Sequence, residues 1–213
     1  MKQKSIYILM LAAFLLNACS TPERSRSIVT QHVPIKTIVT QLCSNCHGMA
    51  GNSDSPNFPN LAAQQEAYLI SQLQGFRAHT RSDKDGYDYM WGITSNLSDE
   101  QIQGLATYFS EQKATPLKKP YPAEKLARGQ EIYEHGVPDK DVPACVACHG
   151  TKAEGNQIFP RLAGQHSTYL LKQLNVFQNT EQRPAGVIMK GVSHALTKEN
   201  MDDVSYYLES IGS

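Results

Sequence analysis

Cys145-Val146-Ala147-Cys148-His149 and its earlier counterpart Cys43-Ser44-Asn45-Cys46-His47 are the stretches that decide the fold of this chain. Each reads C-x-x-C-H, which is the attachment sequence of c-type haem. Two thiols three positions apart can each add to one vinyl group of a single porphyrin, and the histidine that follows can supply the proximal nitrogen to the iron. We therefore predict two covalent haem c groups, one at each motif, with His47 and His149 as iron ligands.

Two other uses of four cysteines are weaker interpretations. A zinc ribbon needs its two C-x-x-C pairs roughly 15–20 residues apart, but these pairs lie in opposite halves of the chain. A pair of disulfides would leave the histidine after each motif unexplained.

Length and charge set broad limits. The chain has 213 residues, with 20 basic and 20 acidic side chains, which is enough for one large domain or two small ones. No basic stripe of the kind that binds nucleic acid is visible.

The first 18 residues have the pattern of an export signal. Lys2 and Lys4 precede an almost wholly apolar run over residues 6–16, which is too short to span a bilayer comfortably. Residues 16–19 read L-N-A-C and resemble a bacterial lipobox, although the asparagine departs from the usual small or apolar residue. We expect Cys19 to become the lipidated first residue. The alternative is an ordinary secretory signal cut near Ala18, which would leave a free thiol.

Export and lipidation predict a location. A lipid-modified cysteine carries several acyl chains, so its anchoring would be stable. Ser20 follows Cys19, and by resemblance to bacterial sorting rules this favours the outer membrane. We expect the domains to face the periplasm, with residues 19–34 as a flexible tether because they show no periodic apolar face.

The chain is an internal repeat. Residues 58–64 read F-P-N-L-A-A-Q and residues 159–165 read F-P-R-L-A-G-Q, and the match continues through the tyrosines, glutamines and phenylalanines that follow. We predict one domain over residues 35–114, an extended proline-rich linker over 115–122 and a second domain over 123–213. Each half is small for a hydrophobic core alone, and a buried porphyrin would supply the missing apolar centre.

The expected secondary structure is all-α. A helix is predicted to enter each haem site, over about residues 35–42 and 123–134. The last helix of each half is the clearest, because Ser98 with Gln101 forms a capping box ahead of a helical apolar stripe and Thr197 occupies the equivalent position.

The repeat also sorts the candidate distal ligands. Met90 and Met189 match each other, and both are expected in loops before the last helix, so we predict that they are the distal iron ligands. Met201 aligns with Ile102 on an apolar helix face and is expected to pack in the core. The remaining histidines show no matched pair and are expected at the surface or beside the haem propionates.

Taken together, these motifs resemble the di-haem cytochrome c4 family of class I cytochromes c over about residues 35–213. The resemblance implies an all-α fold of two tandem class I cytochrome c domains, each wrapped around one haem. It also implies that the carbonyl groups of Pro59 and Pro160 hold the proximal imidazoles. The second half keeps the helix-packing pair Gly129 and Tyr133, which the first half lacks.

The expected function is electron transfer without catalysis. We expect a membrane-tethered carrier that accepts electrons from a quinol-oxidising complex or a dehydrogenase and passes them to a terminal oxidase or reductase. A dedicated electron-transfer subunit of one dehydrogenase is the alternative. A di-haem enzyme such as a peroxidase needs an exchangeable distal position, and two aligned methionines argue against it.

Overall fold

A computed structural model describes residues 33–117 and 120–211. The predicted signal peptide, Cys19 and nearly all of the predicted tether lie outside these residues. The described part of the chain is helical and contains no strand; its only β-type pairings are isolated bridges, Val137 with Val142 and Asn156 with Phe159. The predicted all-α fold is therefore confirmed.

The first half is built from five α-helices and two π-helical turns. The helices are α1 (Ile35–Ile38), α2 (Ser44–His47), α3 (Glu66–Arg77), α4 (Trp91–Thr94) and α5 (Asp99–Ser110). The π-helical turns are Val39–Cys43, which joins α1 to α2, and Gly86–Met90, which leads into α4. The predicted entry helix thus continues through the first haem motif as one helical rod.

The second half repeats this order with a different entrance to its haem motif. Its helices are α6 (Ala123–His135), α7 (Val146–His149), α8 (Ser167–Asn179), α9 (Val187–Ser193) and α10 (Lys198–Ser210), with short 3₁₀ turns at Pro138–Lys140 and Pro184–Gly186. Gly136 has a φ of 72° and ends α6. A loop therefore separates α6 from the motif, whereas α1 runs straight into the first motif.

The last helix of each half begins as predicted and supplies much of the core. Ser98 Oγ accepts a hydrogen bond from the backbone N–H of Gln101, and the Ser98 N–H donates to Gln101 Oε1; Thr197 and Asn200 are paired in the same way. Such reciprocal caps satisfy two backbone donors that a helix otherwise leaves open. The apolar stripes are buried, and they consist of Ile102, Leu105, Ala106 and Phe109 in α5 and Met201, Val204 and Leu208 in α10.

The first and last helices cross in both halves, but the glycine at the crossing lies on opposite partners. In the second half Gly129 of α6 lies against Asp203 of α10. In the first half the small residue is Gly104 of α5, and Ile35 of α1 fills the space opposite. The missing glycine of the first entry helix is thus replaced by one on the helix it packs against.

The two halves meet through a buried polar cluster. The guanidinium groups of Arg81 and Arg183 both donate to Gln72 Oε1, each at 2.8 Å. Arg81 also pairs with Asp83, where Nε lies 2.8 Å from Oδ1, and Arg183 donates to Gln173 Oε1 at 2.7 Å. Asp83 is 1% exposed and both arginines are also buried. The cluster therefore holds two buried cations and one buried carboxylate, which pairs with Arg81.

Candidate haem-binding sites

The first haem motif lies on the helical rod formed by α1 and α2. Cys43 ends the π-helical turn, and Cys46 lies in α2 directly before His47. Positions three apart share one face of a helix, so the two thiols can address the same porphyrin. Neither cysteine forms a disulfide, so both are available to a porphyrin, and before attachment burial raises the pKa of the Cys43 thiol to about 11.

The second haem motif has the same arrangement on the short helix α7. Cys145 is its N-terminal cap, Cys148 is exposed on the helix, and neither forms a disulfide. Burial raises the pKa of Cys145 to about 11. Gly150, with a φ of 85°, ends the helix directly after His149, as Gly48 with a φ of 73° does after His47. A glycine adopts this left-handed conformation without strain, so the chain turns away as soon as the histidine is placed.

Each histidine is held by a proline carbonyl. His47 Nδ1 lies 2.8 Å from the carbonyl oxygen of Pro59, and His149 Nδ1 lies 2.9 Å from that of Pro160. A carbonyl only accepts, so Nδ1 carries the proton and donates, and Nε2 keeps its lone pair. These contacts are the ones that the family resemblance implies.

The electrostatics favour neutral imidazoles. Burial lowers the pKa of His47 and of His149, and the hydrogen bond to the proline carbonyl opposes this only in part. A neutral ring is the form that binds iron, because a protonated Nε2 has no lone pair to offer. Phe58 and Phe159 stand edge-on to His47 and His149, with ring centroids 6.2 and 6.3 Å apart. The residues present therefore fit covalent haem.

The alternative uses of the cysteines do not fit this geometry. Over residues 33–117 and 120–211, no group of three or more histidine, cysteine or acidic side chains could hold a metal ion by itself. The four motif cysteines are all unpaired. The zinc ribbon and the disulfide pairs are accordingly not formed.

The paired methionines lie in helical segments, and the prediction that they occupy loops is wrong. Met90 is the last residue of the π-helical turn before α4, and Met189 lies inside α9. Thr94 Oγ1 donates to the Met90 carbonyl at 2.8 Å, and Ser193 Oγ donates to the Met189 carbonyl at 2.7 Å. Segments this short carry too few residues to show an apolar period, so the sequence pattern could not distinguish them from loops. Both methionines are partly buried.

Met201 lies in the core of the second half, as predicted. It is 2% exposed and belongs to the cluster formed by α6, α8 and α10.

One of the unmatched histidines is not where the sequence predicted it. His166 is 4% exposed, so its assignment to the surface is wrong. Its Nε2 lies 3.0 Å from the carbonyl oxygen of Ser53, and its Nδ1 lies 3.7 Å from Glu209 Oε1. The prediction considered each half alone, whereas His166 is buried by the other half. His79 is exposed, as expected, and stacks on Trp91 with ring centroids 4.1 Å apart.

The comparisons with known proteins agree with this geometry. The sequence profile of the cytochrome c family matches the chain twice, over residues 33–113 and 126–212. Cytochrome c4 of Stutzerimonas stutzeri is 37% identical over 180 residues, which cover 80% of this chain and 84% of the relative. The chain belongs to the cytochrome c4 family. It therefore consists of two tandem cytochrome c domains and carries two covalent haem c groups, attached at Cys43 and Cys46 and at Cys145 and Cys148.

Further similarities extend this assignment. The solved structure of Acidithiobacillus ferrooxidans cytochrome c4 has a TM-score of 0.74 and 36% identity, and the match covers 79% of this chain and 98% of that one. The thiosulfate dehydrogenase electron acceptor of Thiomonas intermedia is 32% identical over 171 residues, or 78% of this chain and 76% of the relative. None of the helices in the described part of this cytochrome has the length and apolar character needed to cross a membrane.

Sequence analysis missed the residues that join the two cytochrome domains. The sequence pattern identifies Gln64 and Gln165 only as members of the repeated F-P-x-L-A-x-Q stretch and indicates no role for them. Both are buried, each 6% exposed, and each binds the backbone of the opposite domain. The available signal is a polar residue kept at the same place in both repeats, two residues before a helix begins.

Proposed function

We propose that this cytochrome is a periplasmic electron carrier of the bacterial envelope, tethered to the membrane by lipid on Cys19. It would accept electrons from a quinol-oxidising complex or a dehydrogenase and deliver them to a terminal oxidase or reductase. The observation that carries the proposal is the doubled site: two buried histidines, each held by a proline carbonyl beside a C-x-x-C pair of cysteines that form no disulfide. Each bound haem would supply one-electron redox chemistry.

The proposed axial ligands are one histidine and one methionine in each domain. His47 and Met90 would serve the first haem, and His149 and Met189 the second. The proline carbonyl fixes the ring orientation and makes each imidazole more basic. A thioether opposite it would fill the sixth position and raise the potential. Two filled positions leave no site at which substrate could bind, so we expect no catalytic turnover.

The proposed location follows from the N-terminal pattern. A lipobox-like stretch ending at Cys19 predicts a lipid anchor, and Ser20 favours the outer membrane. Export also suits the cofactor, because bacteria attach c-type haem outside the cytoplasm. The tether over residues 19–34 would let the two domains reach partners in the periplasm.

A kinetic comparison tests the carrier proposal. We expect the purified di-haem protein to be reduced by a quinol-oxidising complex and reoxidised by a terminal oxidase, with negligible peroxidase activity. A dedicated di-haem peroxidase measured under the same conditions is the control. Hydrogen peroxide turnover comparable to that of the control would overturn the proposal.

A second candidate function rests on the similarity to dehydrogenase electron acceptors. The similarity to a thiosulfate dehydrogenase electron acceptor supports a dedicated electron-transfer subunit of one dehydrogenase. Affinity purification from solubilised membranes separates the two functions. A stoichiometric dehydrogenase that stays bound through high salt would favour the dedicated subunit, whereas a carrier would be recovered alone.

A further inference from the structure

We propose that each cytochrome domain strengthens the hydrogen bond that holds the proximal histidine of the other domain. Gln165 would act on His47 at the first haem, and Gln64 on His149 at the second. Both glutamines would be positioning residues that act through a backbone peptide. The inference rests on the proposed roles of His47 and His149 as proximal ligands, and it goes beyond them by making each ligand depend on the opposite domain.

The first chain of hydrogen bonds starts at His47. Its Nδ1 donates to the carbonyl of Pro59 at 2.8 Å. That carbonyl and the N–H of Asn60 belong to the same peptide group, and this N–H donates to Gln165 Oε1, also at 2.8 Å. Gln165 Nε2 in turn donates to the Asn60 carbonyl at 2.9 Å. The side chain of Gln165 therefore forms hydrogen bonds with both the backbone N–H and the backbone carbonyl of Asn60 in the opposite domain.

The second chain repeats the first with the domains exchanged. His149 Nδ1 donates to the carbonyl of Pro160 at 2.9 Å, and the same peptide group continues into the N–H of Arg161. That N–H donates to Gln64 Oε1 at 2.7 Å, and Gln64 Nε2 donates to the Arg161 carbonyl at 3.0 Å. Two independent copies of one geometry argue against an accidental contact.

The residue after each glutamine adds a second contact of the same kind. His166 Nε2 lies 3.0 Å from the Ser53 carbonyl oxygen, and the Ser53 hydroxyl donates to the carbonyl of Cys46 in the first haem motif. In the other direction, Gln65 Nε2 donates to the carbonyl of Glu154 at 2.9 Å. The pairs Gln64-Gln65 and Gln165-His166 thus each bind the loop that follows the haem motif of the opposite domain.

Hydrogen-bond cooperativity gives the contact a chemical effect. A peptide whose N–H donates to a good acceptor becomes polarised, and its carbonyl becomes a stronger acceptor. The glutamine at the far end of the peptide would therefore strengthen the bond to the histidine. A stronger bond at Nδ1 makes the imidazole a more basic ligand, which stabilises ferric iron and lowers the potential of that haem.

The test uses the full-length di-haem protein with Gln165→Leu or Gln64→Leu, which remove the hydrogen bonds and roughly keep the side-chain volume. The measurements are the midpoint potential of each haem and, in the ferrous protein, the NMR resonance of each histidine Nδ1 proton. We expect Gln165→Leu to raise the potential of the first haem and move the His47 proton upfield. Gln64→Leu should do the same to the second haem and His149.

Gln173→Leu is the matched control, because Gln173 is equally buried between the domains but binds Arg183 instead of a proximal peptide. In Gln173→Leu, the NMR resonance of neither histidine Nδ1 proton should shift more than that of the other. If Gln165→Leu does not fold, Gln165→Ala leaves room for water at the Asn60 N–H and should give a smaller shift at the same haem.

Three outcomes overturn the inference: a shift at the haem of the variant's own domain, an equal shift at both haems, or no shift. The wild-type spectrum separates this failure from failure of the proposed ligands. If His47 and His149 bind iron, their ring protons carry the large shifts that a porphyrin imposes. Without those shifts, the ligand assignment itself is wrong.

Discussion

Gly129 lies directly against the main chain of Asp203, at the point where the first and last helices of the second domain cross. A Cβ placed on Gly129 would come within 2.2 Å of the Asp203 carbonyl oxygen. At the equivalent crossing in the first domain, a Cβ on Gly104 would meet the Cδ1 atom of Ile35 at 2.6 Å. One obstacle is rigid backbone and the other is the end of a flexible side chain.

The two glycines should therefore respond differently to alanine. Gly129→Ala forces the helices apart, and overpacking of this kind costs about 1–3 kcal/mol. The better helix propensity of alanine offsets the cost by about 1 kcal/mol in both variants, but only in Gly104→Ala can the side chain opposite, that of Ile35, move aside. We expect denaturant unfolding of the haem-loaded protein to show a clear loss for Gly129→Ala and little change for Gly104→Ala. Equal losses would contradict this description of the crossings.

Asp83 should stabilise the contact between the two domains at neutral pH, because it holds Arg81, whose guanidinium donates to Gln173 of the other domain. Burial alone would raise the pKa of this carboxyl, but the charge of Arg81 and its hydrogen bond hold the pKa below its ordinary value of 3.8. Asp83→Asn leaves buried cations uncompensated, which costs about 3–5 kcal/mol. Asp85→Asn is the control, because it removes only the partly exposed pair with Lys172, worth at most about 1 kcal/mol.

The effect of Asp83 on stability should depend on pH in one direction. A depressed folded-state pKa contributes stability that is fully present above the unfolded value and is lost as the pH falls through the folded value. The difference between wild type and Asp83→Asn should therefore be constant near neutrality and shrink below pH 3.8. A difference that persists unchanged into strong acid would show that the carboxylate charge is not what stabilises the interface.

Replacing either proposed distal ligand should change one haem and leave the other. Met90→His and Met189→His each exchange a thioether for an imidazole, which favours ferric iron and lowers the potential. Each variant should also lose about half of the sulfur-to-iron charge-transfer absorbance of the ferric protein, since one of two thioether ligands is gone. An unchanged ferric spectrum would rule out the substituted methionine as a ligand.

Met201 supplies the matched control for these ligand variants. Met201→Leu nearly conserves volume in a packed core and should cost less than about 1.5 kcal/mol. Both potentials and the full charge-transfer band should be retained, because this side chain lies among α6, α8 and α10. Loss of a thioether band in this variant would mean that the repeat alignment assigned the methionines wrongly.

The anchor can be tested by cell fractionation. Cys19→Ala removes the residue that is proposed to carry lipid, and we expect the haem-loaded protein to move from the membrane to the soluble periplasmic fraction. Metabolic labelling with a fatty acid should mark wild type and leave Cys19→Ala unlabelled. A variant that stays in the membrane fraction would place the anchor elsewhere or exclude it.

Local features of this cytochrome were predictable, and features that join distant parts were not. The Ser98 cap and the buried position of Met201 follow from patterns within one helix, and the structure has both. The burial of His166 could not be predicted because the residues that cover it are far away in sequence. The partnership of Gln64 with Arg161 was missed for the same reason, although the repeat had marked the glutamine.

The reciprocal contacts of Gln64 and Gln165 have the form of an isologous interface, in which the same patch on two copies binds its own counterpart. The arrangement is that of a symmetric dimer whose subunits have been joined into one chain. In a true homodimer every substitution appears twice, so the two sides cannot specialise. Fusion removes that constraint: Gln65 faces one loop where His166 faces the other, and Asp83 stands on one side alone. Joining the subunits therefore allows two haems of common origin to acquire different environments while the contact between them is kept.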